Sequence, residues 1–168
     1  MSDFQAIADR VEIEALRGEF TDAVMMRDYD RVASLFTPDG ALRMPNIPAE
    51  LTGREQIRAW GDRVPALVDF LVQNTHPGVI RLDGDTASGR AYLQELGRFR
   101  GGASELNYAI YHDRYQRTGE GWRFTERVYE VRYHDTTALA GSPPSAAGAA
   151  AGPPAGGTPA KAPEANQR

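Results

Sequence analysis

The chain has 168 residues, 41% of them hydrophobic, with a formal net charge of −4 and no cysteine. That size and apolar content suit one domain with a real core. A pI of about 5.4 offers no long-range attraction to nucleic acid or anionic lipid, and the missing thiols exclude disulfides, thiolate catalysis and thiolate metal sites. No apolar run approaches the roughly 20 residues that cross a bilayer, and no basic segment followed by an apolar one opens the chain. The expectation is a cytoplasmic protein with no membrane or nucleic-acid partner.

Ser2-Asp3-Phe4-Gln5 has the pattern of a helix-capping box. Phe4, Ile7, Val11, Leu16, Phe20, Ala23 and Val24 fall near a helical stripe and predict a first helix running to about Met26. Arg27-Asp28-Tyr29-Asp30 breaks it, and Asp28 or Asp30 can cap a short second helix carrying Val32, Leu35 and Phe36. Thr37-Pro38-Asp39-Gly40 reads as a turn and Ala41 to Met44 as a short strand. Thr52-Gly53-Arg54-Glu55 is a second capping box, ahead of a helix with Ile57 and Trp60.

From Phe70 the apolar period changes to two, which predicts strands over about 70–82, 85–99, 105–117 and 122–134. Hairpin turns are expected at Leu82-Asp83-Gly84-Asp85, Arg100-Gly101-Gly102-Ala103 and Thr118-Gly119-Glu120-Gly121. Helices first and a strand meander last define an α+β fold, with helices on one face of a curved antiparallel sheet. Residues 141–168 hold no Val, Ile, Leu, Met or aromatic side chain, so they cannot bury enough apolar area to offset their ordering entropy. The predicted organisation is a folded domain over 1–138 and a disordered Ala/Gly/Pro-rich tail over 139–168.

Alternation along the strands nominates site residues. In 85–99 the row Ala87, Gly89, Ala91, Leu93, Glu95, Gly97 and Phe99 is small and apolar apart from Glu95. A carboxylate there must pair, protonate or reach water. It is either a general acid or base with a tunable pKa, or a mouth-side partner of an arginine. His76 precedes Pro77, which favours extended backbone and fixes the direction of its imidazole; it is either an acid–base group or a capping or surface histidine. Asp22 lies on the first helix near the face of Met25, as a catalytic group or a solvated one. In the last strand, alternation puts Arg127 with Tyr129, Val131 and Tyr133, opposite Trp122 and Phe124. Tyr111 and Asp113 share one side of the strand before it, so an Asp113–Arg127 pair can form across the sheet. His76, His112 and His134 are scattered without metal-ligand spacing, and neither a metal nor a cofactor is expected.

The order of these pieces resembles the SnoaL-like polyketide cyclases of the nuclear transport factor two-like superfamily. The residues that carry the resemblance are Arg27-Asp28-Tyr29-Asp30, Leu35-Phe36-Thr37-Pro38-Asp39-Gly40-Ala41, Gly53-Arg54-Glu55-Gln56-Ile57 and His76. To these are added Leu82-Asp83-Gly84-Asp85-Thr86-Ala87 and Gly121-Trp122-Arg123-Phe124 with Glu126-Arg127. The resemblance covers nearly all of 5–135. It implies a cone-shaped, cystatin-like α+β barrel whose sheet wraps the first helix around a pocket, often dimeric through the outer sheet face. It also implies a cofactor-independent cyclase, dehydratase or isomerase acting on a hydrophobic polyketide- or terpenoid-like molecule. His76, Glu95 and Asp22 would then be the proton-transfer groups, and Arg127, Tyr111, Tyr129 and Asp113 would bind or support oxygen substituents. Scytalone dehydratase carries a Tyr-Asp pair where this chain has Val24 and Met25. Such departures predict a greasier pocket lined by Phe20, Val24, Met25, Met44, Trp60, Phe70 and Leu93. A non-catalytic ligand-binding or accessory dimerisation module is the alternative.

Overall fold

Helix α1 (Asp3–Met25) lies against the sheet through Asp9, Ile13, Leu16, Arg17, Phe20 and Ala23. This appears in a computed structural model that describes residues 3–47 and 49–143. Phe4, Ile7 and Val11, expected on the buried stripe, are exposed instead. Their places are taken by Asp9 and Arg17, which enter the core because each finds hydrogen-bond partners there. Arg117 Nη2 donates to Asp9 at 2.7 Å, and Arg17 Nε donates to the Tyr115 hydroxyl at 2.8 Å. A hydrophobicity stripe cannot register paired charges.

Helix α2 (Tyr29–Ser34) is capped by Asp28, whose carboxylate accepts from the Arg31 N–H at 3.0 Å. Strand β1 (Phe36–Met44) absorbs the expected turn at 37–40 as a register shift, with Gly40 pressed against the backbone of the last strand. Strand β2 (Ala49–Thr52) leads into α3 (Arg54–Gly61) and α4 (Val64–Leu67). Gly53, not Thr52, is the N-cap of α3, and it makes no side-chain cap. Gln56 instead reaches back to accept from the Thr52 N–H at 3.1 Å.

The meander follows as β3 (Val68–Asp83), β4 (Thr86–Phe99), β5 (Ser104–Thr118) and β6 (Gly121–Asp135). The six strands form one open sheet in the order β2-β1-β6-β5-β4-β3. The fold class is α+β, as expected, though the sheet is mixed because β1 runs parallel to β6. The helices and β2 separate these two strands in sequence, so no hairpin forces them antiparallel.

Three irregularities decide which side chains face inward. Between His76 and Val79 the β3–β4 register shifts by one residue. On β6, Phe124 pairs with Tyr115 while Glu126 pairs with Arg114, leaving Thr125 as an extra residue. Farther along, Val131 pairs with Ala109 and Tyr133 with Tyr108, leaving Arg132 extra. Each such bulge swaps the faces of the residues beyond it. Trp122, Phe124, Arg127 and Tyr129 are therefore all buried, where plain alternation put the first two opposite the others.

The expected tail from residue 144 onward, and Ser2 of the first capping box, lie outside the described residues. Among the described residues, no helix is long and apolar enough to cross a membrane.

Candidate active site

A cavity of about 140 Å³ lies between α1, the short helices and the sheet. Its walls are apolar: Phe20 and Val24 come from α1, Leu42 and Met44 from β1, and Ile57 and Trp60 from α3. Tyr29, Gly61, Val64, Leu67, Val68 and Leu71 add to the enclosure, and Glu105 reaches its edge from β5. Polar groups gather at the sheet, where Gln73, Glu95, Tyr111 and Tyr129 project from four successive antiparallel strands.

Glu95 is the centre of this polar end. Gln73 Nε2 donates to Glu95 Oε2 at 2.8 Å and to the Tyr111 hydroxyl at 3.0 Å. The Tyr129 hydroxyl donates to Glu95 Oε1 at 3.1 Å. Part of the Glu95 side chain stays open to the cavity, but the carboxyl is packed within protein. Loss of hydration pushes its pKa above the ordinary carboxylate value, and the nearby Glu105 carboxylate adds to the rise. Hydrogen bonds from Gln73, Tyr129 and Asn107 act in the opposite sense without cancelling it. Burial also pushes Tyr111 and Tyr129 upward, so both remain phenols: Tyr129 donates to Glu95, and Tyr111 accepts from Gln73 while keeping its own O–H. The Tyr111 and Tyr129 rings pack at 5.7 Å between centroids, which fixes the direction of both hydroxyls.

Arg127 lies behind this shell. It is fully buried and binds Asp113 through Nε to Oδ1 and Nη2 to Oδ2, each at 2.8 Å. Its guanidinium carbon sits 4.0 Å from the Tyr111 ring centroid, 4.1 Å from that of Phe124 and 4.4 Å from that of Phe20. Tyr115 donates to Asp113 Oδ2 at 2.7 Å, and Arg17 in turn donates to Tyr115. Arg127 and Asp113 therefore do not line the cavity. They hold the rings of Tyr111 and Phe20, which do, by cation–π contact.

The structure thus brings together Glu95, Tyr111, Tyr129, Phe20, Val24, Met44 and Trp60 around one cavity. It does not bring the other nominated groups there. His76 is exposed, because the shift between His76 and Val79 turns it away from the face of Ile80 and puts Gln73 inward. Asp22 is exposed on α1 and pairs with Arg31. Met25 is half-buried outside the lining, where its Sδ accepts from the Gln73 N–H at 3.1 Å. Phe70 and Leu93 also stand outside the lining. Among the described residues, no group of three His, Asp or Glu side chains could hold a metal ion.

Gln73 and Asn107 were missed by the sequence reading. Counting back from the Asp83–Thr86 hairpin pair sets Asn74 opposite Glu95; the one-residue shift makes it Gln73. Asn107 directly faces Glu95 on β5, a pairing legible once the β4–β5 register is known.

An open curved sheet packed on a long helix, with an acid and two phenols at the end of an apolar hollow, is an arrangement of the kind small-molecule sites use, on a superfold that hosts many chemistries. Residues 5–128 match the SnoaL-like domain, and the chain belongs to that family. It is 30% identical over 125 residues to the uncharacterized Mycobacterium tuberculosis protein Rv2910c, covering 73% of this chain and 84% of that one. Among solved structures, LinA superposes with a TM-score of 0.76 at 26% identity, over 86% of this chain and all of that one. A type 2 LinA hexachlorocyclohexane dehydrochlorinase superposes with a TM-score of 0.79, over 86% of this chain and 99% of that one. At 22% identity, this second likeness speaks for the fold alone.

Proposed function

We propose that this chain is a cofactor-independent enzyme of lyase or isomerase type. It would act by acid–base catalysis on a hydrophobic, polyketide- or terpenoid-like molecule: a cyclisation, dehydration or isomerisation. The observation that carries the reading is Glu95, a carboxyl with a raised pKa held by hydrogen bonds from Tyr129 and Gln73, at the polar end of an otherwise apolar cavity. In its neutral form it donates a proton to a departing or enolising oxygen. In its ionised form, stripped of water, it is a stronger base than a solvated carboxylate. The Tyr111 hydroxyl supplies a donor for an oxygen that gains negative charge, while the Tyr129 hydroxyl orients Glu95. The apolar walls orient the carbon skeleton and exclude water. A hexachlorocyclohexane dehydrochlorinase shares this fold, which is consistent with elimination chemistry on it.

Proton transfer can be tested before the substrate is known. A panel of hydrophobic β-diketones and cyclic enones is incubated in D2O with the full chain, and exchange at the acidic carbon is followed by NMR. Exchange by the wild type that falls about 10²–10⁴-fold in Glu95→Gln supports the reading. Equal exchange by both proteins overturns it.

A second reading, a ligand-binding or accessory dimerisation module, is favoured by the apolar Val24 at the cavity wall and by the exposed Tyr92, Tyr108 and Tyr133. On either reading we propose a cytoplasmic homodimer joined through the outer sheet face. The native mass of the purified chain tests the dimer.

A further inference from the structure

Four polar side chains form an unbroken row across the sheet. Gln73 on β3 faces Glu95 on β4, Glu95 faces Asn107 on β5, and Asn107 faces His134 on β6. Directly opposed residues share a face, so all four project to the cavity side of the sheet. The row exists because two irregularities correct the alternation at its two ends. The shift near Pro77 turns Gln73 inward, and the extra Arg132 turns His134 inward. Were Arg132 paired in regular alternation, His134 would share the outward face of Glu130.

His134 Nδ1 lies 2.7 Å from Asn107 Oδ1, and with the proton on that nitrogen the imidazole donates to the amide oxygen. Asn107 is buried, whereas His134 is exposed. An amide held by its oxygen has its nitrogen fixed as well. Asn107 faces Glu95 directly across the β4–β5 ladder, and its side chain acts on both Glu95 and Tyr129 in the sense that favours their ionised forms. That sense requires the amide nitrogen, not the oxygen, to face them.

We propose that Asn107 and His134 are positioning residues for Glu95: the imidazole holds the Asn107 amide by its oxygen, and the amide in turn holds the carboxyl and the Tyr129 hydroxyl in place. The solvent-exposed end of the row thereby sets the orientation of groups inside the cavity. Glu105, Tyr111 and Tyr129 are the other titratable groups that act on Glu95, and Asp135 lies beside His134. Tyr129 donates to Glu95 Oε1 as well, so the amide acts beside that bond. The catalytic importance of this row rests on the role proposed for Glu95 above; its geometry does not.

The test reads the Glu95 carboxyl directly and needs no substrate. The full chain is labelled with 13C at the glutamate carboxyls, Glu95 is assigned by its loss in Glu95→Gln, and its titration is followed by NMR. His134→Leu removes the donor, while His134→Gln keeps an N–H that can reach Asn107. The expected result is a rise of about half a pH unit or more in the Glu95 midpoint in His134→Leu, with return to the wild-type midpoint in His134→Gln. Asn107→Leu should raise it at least as far. A wild-type midpoint in His134→Leu, or equal shifts in the leucine and glutamine variants, overturns the proposal. Because His134 is exposed, both variants keep the fold, and their amide spectra report this in the same experiment. Absent carbon-acid exchange by the wild type would count against the enzyme reading and leave this result standing.

Discussion

Arg127 and Asp113 face each other across β5 and β6, and the guanidinium meets the carboxylate through two bonds of 2.8 Å with both side chains fully buried. Three aromatic rings enclose the guanidinium, and Tyr115 ties the carboxylate to Arg17. Removing one partner leaves the other as an unpaired charge away from water. Arg127→Met or Asp113→Asn should each lower stability in urea denaturation by about 3–5 kcal/mol. The double variant Arg127→Met/Asp113→Asn should lose clearly less than the sum, since the remaining buried charge, Arg17, keeps its pair with Glu14. Additive losses would mean that the pair is not coupled.

Glu95 carries a linked prediction about pH. Its folded-state pKa lies above the ordinary value of 4.5, so the proton favours the fold. The stabilising contribution of the neutral carboxyl is complete below that value and is lost as pH rises through the raised pKa. Thermal melts of Glu95→Gln and the wild type should therefore agree most closely at or below about pH 4.5. The variant should become progressively the more stable of the two at higher pH. A gap that shrinks with rising pH would show that the carboxyl is held as an anion.

Asp9 behaves in the opposite way. Its hydrogen bond with Arg117 is the largest cause, and its bonds with Gln5 and Trp122 add to it; together they pull its pKa from 3.8 to about 2. A lowered pKa contributes stability above the ordinary value, and that contribution is lost as pH falls through the lowered one. Asp9→Asn should cost about 2 kcal/mol at neutral pH, by the usual worth of charge-assisted bonds. The cost should vanish between about pH 4 and pH 2, read from acid denaturation of the two proteins side by side.

Gly61 makes the cavity wall sensitive to one methyl group. A Cβ there would run into the Tyr29 ring, and both residues line the cavity. Gly61→Ala should push the ring toward the hollow and cost about 1–3 kcal/mol of stability by overpacking. It should also weaken the quenching of Trp60 fluorescence by hydrophobic ligands. Wild-type quenching in this variant would mean that the ligands bind elsewhere.

The sequence by itself determined the α+β class, the strand meander and the family. Those depend on local periodicity and turn chemistry: the small row from Ala87 to Phe99 does face inward, and the Asp83-Gly84 turn does join β3 to β4. It also made Glu95 stand out, because one carboxyl in an apolar row is visible without coordinates. Only the tertiary structure decided which polar groups join it. A bulge costs one residue and reverses every face beyond it; Pro77-Gly78 hints at the first, but no composition signal marks Thr125 or Arg132 as the place. The first reversal removed His76 from the cavity and supplied Gln73. The second buried Trp122 and Phe124 on the face of Arg127, and the third turned His134 onto Asn107. The buried stripe of α1 likewise depended on distant partners, since Asp9 and Arg17 enter the core only where Arg117 and Tyr115 meet them.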